Sequence, residues 1–89
     1  MIVTFDKSFS KSLDKINNSI ALKNTAKAIE KCEKALNISE ISNLKKLKGF
    51  KNFYRLKIGD YRIGLEIEKD TIDFIVLSHR KDIYTIFPK

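Results

Sequence analysis

With 89 residues, the chain has room for one domain spanning 1–89 and no second core. At 43% hydrophobic and 33% charged it is no disordered tract, and a net charge of +7 calls for a polyanion, an anionic surface or an acidic protein as partner. The single cysteine, Cys32, permits no internal disulfide and no cysteine-based zinc cluster, so neither metal nor cofactor is expected.

The opening Met-Ile-Val-Thr-Phe-Asp-Lys lacks the basic start and long apolar run of a signal peptide, and no apolar stretch reaches membrane-spanning length. The expectation is a cytoplasmic protein with no membrane contact. Ile2 to Phe5 reads as a first strand. Asp6 or Ser8 can cap a helix in which Phe9, Leu13, Ile16 and Ile20 recur at helical spacing. Asn17-Asn18-Ser19 marks a turn. A second helix is predicted from Ser19 to Leu36, with Leu22, Ala26, Ile29 and Leu36 as its apolar stripe and Ala28 and Cys32 flanking. Cys32 there reads as a small buried hydrophobe rather than a nucleophile.

Asn37 to Asn43 is a polar connector with Ile38 and Ile41 dipping inward. In the segment that follows, Leu44 and Leu47 can pin the chain to the core while Lys45, Lys46 and Lys48 project. With Lys51 these lysines form either a solvated basic loop, the ordinary reading of an isolated lysine run, or a phosphate-facing one; their place beside the next hairpin leaves the two evenly balanced. From Lys45 to Arg62 there are seven basic residues against one acid, Asp60, so the charge excess is a patch.

The stretch Phe53 to Ile67 is a hairpin around Gly59-Asp60, with glycine first as a type II′ turn prefers. Folding it there pairs Ile58 with Tyr61, Lys57 with Arg62, Leu56 with Ile63, Arg55 with Gly64 and Tyr54 with Leu65. Alternation then places Tyr54, Leu56, Ile58, Tyr61, Ile63, Leu65 and Ile67 on one face. Arg55, Lys57 and Arg62 share the other, with Gly64 an open floor beside Arg55. Lys57 opposite Arg62 is a like-charge pair that costs about 0.2–1 kcal/mol, so a bound anion is expected there. Glu68 to Thr71 is a turn, Ile72 to Ser78 a buried strand, and Ile83 to Lys89 a short, loose tail. Strand, two-helix hairpin and three-strand antiparallel meander make an α+β domain with helices on one sheet face.

Leu47-Lys48-Gly49, the run Tyr54 to Ile63, and Val76-Leu77-Ser78-His79-Arg80-Lys81-Asp82-Ile83-Tyr84 together resemble the RelE/ParE superfamily of toxin–antitoxin toxins. The resemblance covers essentially the whole chain. It implies a four-stranded sheet with two N-terminal helices, and a cognate acidic antitoxin that neutralises the toxin. It implies either cleavage of messenger RNA in the ribosomal A site or, in the ParE-like branch, inhibition of DNA gyrase. A catalytically degenerate protein that only binds its antitoxin is the third possibility.

By the same resemblance, Arg55 and Lys57 match the basic pair on the first hairpin strand and Arg62 the arginine on the second. Arg80 matches the arginine after the last strand and Tyr84 the tyrosine beyond. The gyrase-directed branch commonly lacks this full set, which favours RNA cleavage. Metal-free cleavage requires a base for the ribose 2′-OH, cations for the phosphate and a donor for the leaving 5′-oxygen. Lys57, crowded by like charges, is the candidate base. Arg62 and Arg80 are assigned to the phosphate. Arg55 or His79 serves the leaving oxygen, and Tyr84 orients the base or stacks on a nucleobase. Unbroken alternation from an Ile67–Ile72 pair puts His79 on the Arg55/Arg62 face and Arg80 on the core face. Either the strand ends before Arg80, or a bulge shifts the parity. The RNA-binding set is then Lys45, Lys46, Lys48, Lys51 and His79, with messenger RNA and ribosomal RNA as partners.

Overall fold

The computed structural model describes residues 1–88. Strand β1 (Ile2–Phe5) leads into helices α1 (Lys7–Lys15) and α2 (Ser19–Lys34). A single 3-10 turn (Ile38–Glu40) precedes β2 (Leu44–Lys46), β3 (Phe53–Ile58), β4 (Tyr61–Glu68), β5 (Thr71–His79) and a one-turn helix, α3 (Ile83–Ile86). The strands form one sheet in the order β1-β5-β4-β3-β2, antiparallel except for the β1–β5 pair. The sheet thus has five strands where four were expected, because Leu44–Lys46 pairs with β3 instead of running as a loop.

Local chemistry sets the ends of the elements. Asp6 caps α1 by accepting from Ser8 N, and Asn18 caps α2 by accepting from Ala21 N at 3.0 Å. Gly59 opens the β3–β4 turn at φ 62°, the positive angle a type II′ turn requires at that position. The hairpin pairs Ile58 with Tyr61 and continues to Phe53 with Glu66, as the turn chemistry predicts.

Leu56, Ile63 and Leu77 form one row across the helix-covered face, Leu65 and Phe74 a second, and Ile67 and Ile72 a third. Phe9 of α1 inserts against them, its ring meeting Phe74 edge-on at 5.4 Å and stacking on Phe5 at 5.8 Å. Each of these side chains contributes about 1.5–3 kcal/mol by burial.

The face of α2 differs from the predicted stripe. Ala21, Thr25, Ala28 and Cys32 are buried, whereas Leu22 and Ala26 are exposed. Leu36 lies beyond the helix and is 84% exposed. Small side chains let the helix backbone sit close to the sheet, a gain that outweighs burying larger apolar residues one position along. Thr25 is admitted because its hydroxyl donates to the Ala21 carbonyl at 2.8 Å.

The β4–β5 ladder contains a bulge. Gly64 pairs with Val76 and Leu65 with Phe74, leaving Ile75 as the extra residue. The edge of β5 is free here because β1 ends at the Phe5–Phe74 pair. Helix α1 takes over its hydrogen bonds: Ser8 Oγ donates to the Ile75 carbonyl at 2.5 Å, and Leu77 N donates to Ser12 Oγ at 3.0 Å.

Candidate functional site

The sheet face opposite α1 and α2 carries two basic rows. Lys45, Arg55 and Gly64 stand side by side across β2, β3 and β4, and Lys57, Arg62 and Ser78 do so across β3, β4 and β5. Adjacent members of a row are about 4.5–5.5 Å apart at the backbone, so the cations are crowded by the ladder itself. Arg55 Nη1 reaches the Asn43 carbonyl at 3.5 Å. Arg62 Nη1 donates to the Gly59 carbonyl at 2.8 Å and to the Tyr61 carbonyl at 2.9 Å. One nitrogen therefore anchors the guanidinium on the turn and leaves its other donors for an anion.

The same turn collects Arg80. Its backbone N donates to the Asp60 carbonyl at 2.8 Å, and its Nε lies 3.9 Å from Asp60 Oδ1. The ion pair is solvent-exposed and contributes little energy, so the backbone bond does the positioning. Asp60, the lone acid of the basic stretch, thus docks the arginine that follows β5. The sequence marks Asp60 only as a turn residue; its second role runs through its backbone carbonyl, which no residue type signals.

The bulge decides between His79 and Arg80. Past Ile75 the parity of β5 is reversed, so Ser78 lies opposite Arg62 and His79 opposite Tyr61. His79 is accordingly on the helix-side face, not with Arg55 and Arg62. Its ring meets Tyr61 edge-on at 5.5 Å, and its Nδ1 accepts from Lys81 N at 3.2 Å.

The lysine segment also divides. Lys45 pairs with Arg55 and joins the basic face. Lys46 pairs with Tyr54 on the opposite face, where Lys46 and Lys51 line a cavity of about 500 Å³ with Met1, Leu36 and Ile38. Lys48 is exposed in the turn after β2. A segment read as one RNA-facing run thus presents one lysine beside the arginines, because alternation in β2 separates Lys45 from Lys46.

The predicted open floor at Gly64 is filled. Phe87, only 3% exposed, lies against it, so the tail is packed as far as Pro88; Lys89 falls outside the described residues. Helix α3 therefore crosses the basic face, an arrangement the two-helices-on-one-face expectation lacked. Tyr84, on this helix, is 60% exposed.

Cys32 is fully buried under β1, and burial pushes its thiol up to about 11. The thiol therefore stays protonated and is no nucleophile at neutral pH.

A meander whose outer face holds Arg55, Lys57 and Arg62, with Arg80 docked on its turn, is the arrangement that the resemblance to RelE/ParE toxins implies. The family described as the ParE toxin of the type II toxin–antitoxin system parDE matches residues 3–84, and the chain belongs to it. It is 40% identical over 89 residues, 99% of this chain and 100% of the relative, to Toxin RelE3 from Methanocaldococcus jannaschii. It also resembles a chain of the RelB-RelE antitoxin-toxin complex from Methanococcus jannaschii, at 39% identity and a TM-score of 0.79, covering 96% of this chain and 99% of that one. A RelE-RelB complex from Pyrococcus horikoshii shares the fold at a TM-score of 0.70 and 21% identity, over 92% of this chain and 97% of that one. The chain is thus a RelE-like toxin of a toxin–antitoxin pair.

Proposed function

We propose that this toxin is a ribosome-dependent endoribonuclease that cleaves messenger RNA in the ribosomal A site and is neutralised by a cognate acidic antitoxin. The observation that carries the reading is the gathering of Arg55, Lys57 and Arg62 on one sheet face, with Arg80 held at the same turn. The 2′-oxygen attacks the adjacent phosphorus as Lys57 takes its proton. Arg62 and Arg80 bind the phosphate oxygens as charge builds, each fixed donor contributing roughly 10²–10³ in rate. Arg55 donates a hydrogen bond to the leaving 5′-oxygen as the P–O5′ bond breaks, a task His79 is turned away from, and that oxygen takes its proton from solvent water. Attack from the 2′-oxygen produces a 2′,3′-cyclic phosphate and a 5′-hydroxyl end. Tyr84, on the helix crossing this face, orients the base or stacks on a nucleobase.

The RelB partners of the RelE structures support the antitoxin, and an acidic partner complements a net charge of +7. Ribosome-programmed cleavage assays on Arg62→Ala and Lys57→Ala test the chemistry. Unaltered cleavage by both variants would overturn it. The matching family carries the ParE name, which favours gyrase inhibition as the second reading. Supercoiling assays run beside RNA cleavage separate the two.

A further inference from the structure

Gly64 has no side chain for a reason of space. A Cβ built on it would lie 2.6 Å from Phe87 Cγ and 2.7 Å from Phe87 Cδ2, well inside van der Waals contact. The ring of Phe87 is thus laid directly on the backbone of β4, opposite Arg55 and two residues along from Arg62. The ring also meets Phe53 edge-on at 5.4 Å, and Phe53 meets Phe50 at 5.8 Å. Phe87 N donates to the Ile83 carbonyl at 2.8 Å, and Ile83 is itself fully buried. Two buried residues therefore pin the single turn of α3 at its two ends, and Tyr84 rides between them.

We propose that Phe87, seated on Gly64, is a positioning residue that holds Tyr84 at a set place over the basic sheet face. A one-turn helix has no stability of its own, so its geometry comes entirely from these anchors. The kinetic part of the proposal rests on the ribonuclease reading; the anchoring does not. Displacing a reacting or orienting group by about 1 Å costs on the order of 10²-fold in rate. Releasing Phe87 therefore damages turnover without removing any cation.

The experiment compares the unaltered chain with Phe87→Ala, Phe87→Leu, Gly64→Ala, Tyr84→Ala and the Phe87→Ala/Tyr84→Ala double variant. Amide exchange at Thr85 is expected to rise at least about tenfold in Phe87→Ala and Gly64→Ala, with Ile63 and Leu65 still protected, which shows that the sheet stays folded. In ribosome-programmed cleavage kcat is expected to fall roughly 10–10²-fold with KM little changed, and Phe87→Leu to recover most of it. In the Tyr84→Ala background Phe87→Ala is expected to cost less than about twofold more, because it acts through Tyr84. Undisturbed exchange at Thr85, or an equal loss of cleavage in both backgrounds, overturns the proposal. Absence of cleavage by the unaltered chain overturns the ribonuclease reading instead, and exchange at Thr85 then decides the anchor alone.

Discussion

The two faces of the sheet are built from the same strands and obey opposite rules. The face under α1 and α2 is apolar and closed, with Ile63, Leu65, Ile72 and Phe74 fully buried. The other face sets Lys57 against Arg62 and Lys45 beside Arg55, pairs that repel one another. Most of the stability comes from the first face and part of it is spent on the second, where Ile83 and Phe87 are the buried exceptions. The lesson is that a surface arranged at a cost to folding is the place to look for the ligand that relieves the cost.

Substitutions that act on one face alone sharpen this contrast. The largest effect is expected from Phe74→Ala, which leaves a cavity against the Phe5 and Phe9 rings and lowers stability by about 3–5 kcal/mol in urea unfolding. Arg62→Ala is expected to do the reverse. It lowers the cleavage rate by about 10²–10³-fold and moves stability by less than about 1 kcal/mol, which paired kinetics and unfolding will check.

Cys32 tests how tightly the covered face is closed. Its folded thiol titrates near 11 against an ordinary 9.0, so at pH 8 the folded chain holds about a hundredfold less thiolate than the unfolded one. Iodoacetamide should label it slowly in native protein and quickly in urea. Because the folded value is raised, the stabilising contribution is complete below pH 9.0 and is lost as pH rises from 9.0 towards about 11. Fast native labelling at pH 8 would show an open core. The smallest effect is the most diagnostic of the open face. Lys57→Gln removes the like-charge pair and should raise stability by about 0.2–1 kcal/mol while cleavage falls. A loss of stability would mean that the lysine serves the fold.

Much of this was readable from residues alone. Gly59-Asp60 is a local turn signal, and once it is placed every pair from Ile58–Tyr61 to Tyr54–Leu65 follows by counting. The Asp6 cap, the turn at Asn17-Asn18-Ser19 and the inward Phe9 are equally local. The face of α2 departs from the expected stripe because spacing ranks Leu22, Ala26 and Leu36 above Ala21 and Ala28, whereas close approach to a sheet selects the small side chains one position away. His79 and Arg80 could not be told apart by counting, because one unpaired residue, Ile75, inverts everything after it. That bulge depends on hydroxyls from α1, more than sixty residues away.

What the amino-acid order determined unaided is short-range: the hairpin, its alternation, and therefore Arg55, Lys57 and Arg62 on one surface. A two-residue turn and a pleat of period two need no information from elsewhere in the chain. Only tertiary contact decided that Arg80 comes to Asp60, that His79 turns to the helix side, and that Phe87 closes the floor left by Gly64. Each of these depends on a partner distant in sequence or on a ladder shifted by one residue, and periodicity carries no record of either.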